Sequence, residues 1–369
     1  MFAQYARAPH IKFGAGVGSS SRESLYWRLF RERSLPGGVK AILSSVLERA
    51  RERLKSASRL VIVAHSDLDG IASAAVLRGW FLGLGGLRSV EVHVTGVRGL
   101  YRSLRRFARE AVGKPGSVIT VLDMAPGSRG DAVAIASFFR NRRVGLVWID
   151  HHEWVEGARE ELERVDAIVV VDRSVPTSTL VCRVVECGER GQLAAIARLG
   201  TLDDACVDDE LVSRWRIVLR YIDFSQMARA IEELSRGNLW PQWVEDYYSS
   251  VVEEYRNMLH QAAKSKHVFS FNGIRVAVVI PPPRVSACDL ELAGIAKPED
   301  VDIVVIVYPK GISLRTRETL DAACIARKLG GGGHARAAGA PRTFSSMGAG
   351  QIARQIAALA SECVRGSKT

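Results

Sequence analysis

The chain has 369 residues, 47% of them hydrophobic, and a formal net charge of +11. That length can bury two sizeable cores and predicts two domains rather than one. No apolar run approaches the roughly 18 residues of a membrane span, and the first residues lack the contiguous apolar stretch of a secretory signal, so the sequence predicts a cytoplasmic protein without membrane contact.

The excess of Lys and Arg favours polyanions, because a basic surface raises the local concentration of phosphate groups, although such a balance also occurs in proteins that never meet nucleic acid. The six cysteines (Cys182, Cys187, Cys206, Cys288, Cys324, Cys363) form no Cys-x-x-Cys pair, which argues against a zinc ribbon or a redox motif. Reduced, mostly buried thiols are expected, with disulfides as the alternative in a hyperthermophile.

Residues 1–58 read as a helical N-terminal extension, with apolar positions recurring at three- and four-residue intervals over 39–54. Residues 59–207 then alternate short Val/Ile-rich runs at 60–64, 90–94, 118–122, 144–149 and 167–171 with helical segments. Strand-length runs that are apolar throughout indicate a parallel sheet covered on both faces, hence a doubly wound α/β domain. Residues 208–265 read as a helical connector with a break at Trp240-Pro241 and a long amphipathic stretch over 243–264. Strand-like runs return at 274–280 and 303–307, so residues 266–369 are expected to form a second, smaller α/β domain. No repeat or low-complexity tract is present.

Chemistry-bearing residues recur where strands end. His65-Ser66-Asp67-Leu68-Asp69-Gly70 follows the run at 60–64 and precedes a helical run at 71–81. These side chains should emerge at the carboxyl end of a parallel strand, where α/β sheets bind ligands. If strand alternation persists, His65, Asp67 and Asp69 point to one side. Asp123 follows the run at 118–122, Asp150-His151-His152 follows the run at 144–149, and Asp203-Asp204 closes the domain. Any one of these aspartates alone reads as a helix cap. Together they would repel one another unless cations supplied compensating charge, and carboxylates mixed with imidazoles suit manganese or magnesium. The donor count suffices for two ions, which can clamp a phosphoryl group and activate a water.

These elements resemble the four motifs of the DHH phosphoesterase superfamily, named for a triplet like Asp150-His151-His152. Gly330-Gly331-Gly332-Gly333-His334-Ala335-Arg336-Ala337-Ala338-Gly339 is similar to the glycine-rich signature of the DHH-associated domain, and Ser313-Leu314-Arg315 resembles a recurring element upstream of it. The resemblance spans about residues 59–340 and implies a DHH catalytic domain over 59–207 and a DHH-associated substrate-binding domain over 266–369. It implies that His65, Asp67 and Asp123 hold one metal, while Asp69, Asp123, His151 and Asp204 hold the other. His152 would then face the scissile phosphate as a proton donor, and Asp150 would orient the imidazoles. Spacing from Gly200 favours Asp204 over Asp203.

In the glycine-rich run, Gly331, Gly332, Gly333 and His334 form an expected phosphate-binding loop, with Arg315 and Arg317 assisting through guanidinium contacts. Residues 335–338 are expected to start a helix whose N-terminus would attract an anion. Arg98, Arg102, Arg105, Arg106 and Arg109 recur at helical spacing around Tyr101 and Phe107, a basic face that suits a polymeric substrate or is merely solvated. Thr177-Ser178-Thr179 resembles a hydroxyl-rich stretch of the superfamily, though such residues usually only cap.

The expected activity is a manganese-dependent, exonuclease-like hydrolysis of single-stranded DNA, RNA or oligonucleotides, in the manner of RecJ-type exonucleases and nanoRNases. Two alternatives stand beside it: a phosphoesterase for 3′-phosphoadenosine 5′-phosphate or cyclic dinucleotides, and an inactive scaffold for replication or repair proteins. A homodimer is compatible with the sequence.

Overall fold

The computed structural model describes residues 37–364 apart from 189, 300, 342–343 and 345–346, so the expected extension lies outside the described residues up to position 36. The described chain forms two compact units, residues 37–250 and 251–364.

The first unit contains α1 (Gly37–Lys55), β1 (Arg59–Ala64), α2 (Leu68–Gly83), β2 (Ser89–Val94), α3 (Val97–Glu110), β3 (Ser117–Leu122), α4 (Arg129–Phe139), β4 (Gly145–Asp150), α5 (Ala158–Glu163) and β5 (Ile168–Val171). It continues through α6 (Thr177–Val184), α7 (Gln192–Asp204), α8 (Glu210–Val218), α9 (Phe224–Ser235) and the start of α10 (Gln242–Lys264). Its five strands are all parallel in the order β2-β1-β3-β4-β5. The expected strands are present, with ends shifted by at most one residue.

Their unbroken apolar sequences have a simple cause, since alternate residues enter different cores. Leu60, Ile62 and Ala64 of β1 pack with Leu54, Ile71 and Trp215 on one face. Val61 and Val63 pack with Leu104, Phe107 and Trp148 on the other. Ile62 is fully buried, and truncating such a residue to Ala costs roughly 2–5 kcal/mol. The chain runs from β1 out to β2, then returns to lay β3 on the opposite side of β1, which makes β1/β3 the switch point where such sheets open a crevice at their carboxyl edge. His65 and Asp123 are the first residues after those two strands.

The second unit contains β6 (His267–Phe271), β7 (Ile274–Val279), α11 (Ala287–Leu292), β8 (Ile303–Tyr308), β9 (Gly311–Thr316), α12 (Ala322–Lys328), β10 (Gly332–Gly333), β11 (Ala337–Pro341) and α13 (Ala349–Ser361). Its mixed sheet has the order β10-β11-β9-β8-β7-β6, and α12 and α13 contribute Ile325, Ile352 and Ile356 to its core.

Two expectations are corrected here. Residues 335–338 do not start a helix: Gly332 and Gly333 pair antiparallel with Gly339 and Ala338, and β11 then pairs with β9. Alanine favours helix locally, but the strand partner β9 decides the conformation. The glycines serve this hairpin. A Cβ on Gly331 would collide with the Gly339 carbonyl oxygen, and Gly333 has φ +137°. The cysteines are not simply reduced thiols either. Cys182 is bonded to Cys187 and Cys324 to Cys363, with Cα–Cα distances of 5.1 and 5.8 Å. No helix among the described residues is long and apolar enough to cross a membrane.

Candidate metal centre

The turn from β1 into α2 builds the first part of the site. Asp67 caps α2 by accepting the Gly70 N–H at 3.0 Å, so its capping and site-building positions coincide. A Cβ on Gly70 would meet the His65 carbonyl oxygen at 2.6 Å, which requires glycine at this tight turn. His65, Asp67 and Asp69 converge through this strand-to-helix turn and not through continued strand alternation, because Asp69 already belongs to the first turn of α2.

The next strands add donors at the same edge. Asp123 follows β3 with φ +64°, a left-handed conformation that costs a non-glycine residue of order 1 kcal/mol or more and is held by its N–H donating to Ile149 O at 3.1 Å. Asp150 ends β4, and His151 and His152 follow. His151 Nε2 lies 3.5 Å from Asp123 Oδ1 and 3.6 Å from Asp204 Oδ1. His65 Nδ1 lies 2.8 Å from Asp67 Oδ2 and 3.6 Å from Asp123 Oδ2. Two donor groups result, His65/Asp67/Asp123 and Asp123/His151/His152, and Asp123 belongs to both. His152 thus joins a donor group, where the sequence assigned it only to the substrate side.

Asp203 and Asp204 end α7 with different partners. Asp203 accepts from Nε of the buried Arg216 at 2.6 Å, whereas Asp204 is the one beside His151. Asp69 is held by α6: the N–H groups of Thr177 and Ser178 donate to its two carboxylate oxygens at 2.8 and 2.9 Å. The Thr177 hydroxyl donates to Asp123 Oδ1 at 2.9 Å. The Thr177-Ser178-Thr179 stretch therefore supports the cluster instead of only capping. The Thr179 and Thr201 hydroxyls are hydrogen-bonded at 2.8 Å, and a Cβ on Gly200 would lie 2.7 Å from Asp69 Oδ1. Trp154 Nε1 donates to Asp150 Oδ2 at 2.7 Å, and Asp150 Oδ1 is 2.7 Å from His152 Nδ1. The sequence signals for Thr177, Gly200 and Trp154 are weak, since hydroxyls, glycines and indoles near turns are common.

The electrostatics follow from crowding anions in a buried place. Burial and then the neighbouring carboxylates raise Asp123 well above the usual carboxylate range. Burial raises Asp69 and pushes Asp204 up to about 6, against the pull of His151. Burial opposes ionisation of Asp67 too, but His65 overrides it and holds Asp67 low. Burial would depress His152, yet its hydrogen bond to Asp150 and the surrounding negative charge push it up to about 10. Among the described residues, His65 and His152, both raised, supply imidazolium charge to set against these carboxylates. Asp123 Oδ2 is buried with no hydrogen-bond partner, and it belongs to the donor group in which His65 Nδ1 lies 3.6 Å away. Oxygen and imidazole donors so arranged fit a hard-to-borderline divalent cation.

Arg315 and the glycine-rich run belong to the second unit. Arg315 on β9 pairs in register with Ala337, and its Nε donates to Glu291 Oε2 at 2.9 Å. Gly332 and Gly333 form β10, Gly331 precedes it, and His334 makes the turn by donating its N–H to Ala337 O at 2.7 Å. Arg317 Nε donates to the Pro298 carbonyl at 2.9 Å.

No protein-family model and no curated protein sequence matches the chain. Solved structures do. One described as a member of the s1p family of ribosomal proteins with a DHH domain aligns with a TM-score of 0.62 at 16% identity, over 93% of this chain and 96% of that one. RecJ from Thermus thermophilus in complex with Mn2+ aligns with a TM-score of 0.57 at 14% identity, over 91% of this chain. This chain spans 57% of that RecJ chain. The chain thus has the fold of the DHH-domain proteins, and that fold is shared with a manganese-bound RecJ.

Proposed function

We propose that this protein is a divalent-metal-dependent phosphoesterase that cleaves phosphodiester bonds in single-stranded nucleic acid or short oligonucleotides. The observation that carries the reading is the convergence of imidazoles and carboxylates from the ends of β1, β3, β4 and α7 around the buried Asp123, whose Oδ2 has no hydrogen-bond partner. His65, Asp67 and Asp123 would hold one ion, and Asp69, Asp123, His151 and Asp204 a second. Manganese suits this donor set, with magnesium the harder alternative. When bound, the ions supply an activated water and offset charge on the phosphoryl group.

The chain's own groups do the rest. Asp150 fixes the orientation of His152 and keeps it protonated, so that His152 can deliver a proton to the leaving oxygen. Thr177 and Ser178 hold Asp69 and Asp123 in place. Residues 59–207 form the catalytic domain in this reading, 208–265 a connector and 266–369 the substrate-binding domain, with Arg315, Gly331, Gly332, Gly333 and His334 recognising phosphate or a chain end. The presence of Mn2+ in the Thermus thermophilus RecJ structure supports the choice of metal.

The test is product analysis in manganese with wild-type and Asp123→Ala protein, using end-labelled single strands, a dinucleotide, a cyclic dinucleotide and 3′-phosphoadenosine 5′-phosphate. Progressive shortening of the strands by wild type alone is expected. Hydrolysis confined to the last two compounds would replace the nuclease reading, and equal turnover by both proteins would remove the metal centre from catalysis.

A further inference from the structure

Helix α3 presents a sharply divided surface. Leu100, Leu104, Phe107 and Ala108 enter the core, while Arg98, Arg102, Arg105, Arg106 and Arg109 stay exposed on the outward face. Among the described residues only Arg106 of these five has a carboxylate partner, Glu110 at 2.7 Å. From Arg98 to Arg109 the stripe runs about 16 Å at about 1.5 Å per residue. It begins where β2 ends, at the carboxyl edge that carries His65 on the neighbouring strand β1, and runs back towards the opposite edge.

The stripe continues past the end of the helix. Arg142 Nη1 donates to the Ala108 carbonyl at 3.0 Å, which brings the α4–β4 turn, with exposed Arg140 and Arg143, against the last turn of α3. A cavity of about 380 Å³ lies there, lined by Val112, Lys114, Asn141, Arg142 and Arg143 among others. Within the stripe, Tyr101 is 39% exposed and its ring is braced edge-on by Phe138 at 5.1 Å.

We propose that the outward face of α3 and the α4–β4 turn bind the sugar–phosphate backbone of a nucleic-acid strand, holding the part of the substrate that extends beyond the bond being cleaved. The choice of occupant rests on the nucleic-acid reading above and on three features of the surface. Arginines form bidentate bonds with phosphate. A braced, half-open tyrosine among them suits base stacking, and the cavity adds room beside cationic groups. A membrane surface is disfavoured because the apolar face of α3 is already buried in the core, leaving nothing to insert.

The test compares wild type with Arg102→Ala/Arg105→Ala/Arg109→Ala and, separately, Arg140→Ala/Arg143→Ala. Affinity for a long single strand is measured against salt in the presence of EDTA, and dinucleotide hydrolysis is measured in manganese. Loss of three contacts should lower the slope of log K against log salt by about 2, at roughly 0.7 per single-strand phosphate. Dinucleotide turnover and the melting temperature should stay unchanged. A 4-thiouridine-bearing strand should crosslink within residues 97–114. Unchanged affinity and slope in both variants would overturn the proposal, as would displacement of the strand by polyglutamate at equal charge. If wild type binds the strand through these arginines but hydrolyses none of the substrates, the phosphoesterase reading fails and the track stands. If it hydrolyses them while the variants bind normally, the track alone fails.

Discussion

The Thr177 hydroxyl donates to Asp123 Oδ1 at 2.9 Å, while the N–H of the same residue reaches Asp69 Oδ2 at 2.8 Å. One residue at the start of α6 thereby orients two buried carboxylates, one from the first turn of α2 and one from the residue after β3. Thr177→Val removes only the hydroxyl bond and keeps the backbone donor. Manganese affinity is expected to fall about tenfold, the lower end of what loss of a ligand-orienting partner costs. Titration with manganese checks this, and Thr177→Ser should restore affinity. Equal affinity in all three proteins would show that Asp123 is oriented without Thr177.

Asp203 and Asp204 are neighbours in sequence with different work. Arg216 is 4% exposed, and its Nε bond to Asp203 compensates a charge inside the protein. Asp203→Asn should therefore destabilise the first unit, by about 3 kcal/mol if Asp203 supplies most of that compensation. Asp204→Asn should leave thermal stability near wild type and abolish metal-dependent hydrolysis. Denaturant unfolding and manganese-dependent activity, measured on both variants, separate the two roles. The reverse pattern would transfer the ligand assignment to Asp203.

That contrast shows where the sequence stops being informative. The convergence of His65, Asp123 and His151 is legible because each follows a strand-length apolar run, and parallel strands deliver such residues to one edge. The choice between Asp203 and Asp204 depends on Arg216, and the placement of Thr177 depends on Asp123, which is 54 positions away. Spacing carries no record of such partners. The glycine-rich run makes the same point from the other side. Its alanines favour helix locally, yet pairing of Ala337 with Arg315 and of Ala338 with Leu314 draws the segment into a sheet. The Cys324–Cys363 bridge is equally non-local.

Metal binding should depend on pH in a defined direction. Asp204 is pushed up to about 6, and Asp69 and Asp123 are also raised, so these groups retain protons where isolated carboxyls would have lost them. A cation requires the carboxylate form, and protons therefore compete with it below the raised value. Manganese affinity should fall on acidification, and below about pH 6, where Asp204 takes up its proton, by about tenfold per pH unit for each proton displaced. Calorimetric titration on either side of that pH checks the sign. Affinity that rises on acidification would mean that the raised carboxyls are not ligands.

The disulfides give the last expectation. Cys324 lies in α12 and Cys363 just beyond α13, so their bond closes a 39-residue loop around helices that cover the core of the second unit. In the loop-entropy model a closure of that length stabilises by about 4 kcal/mol, whereas the 5-residue closure between Cys182 and Cys187 contributes about 2 kcal/mol. Cys324→Ser/Cys363→Ser should therefore lower the unfolding free energy more than Cys182→Ser/Cys187→Ser, measured by denaturant titration without reductant. Reductant should bring wild type down by at least as much as the larger of these losses. If reductant leaves the wild-type midpoint where it was, the bonds are not formed in solution. If the two variants instead lose equal stability, loop length does not govern the effect, and strain or local packing around each bridge does.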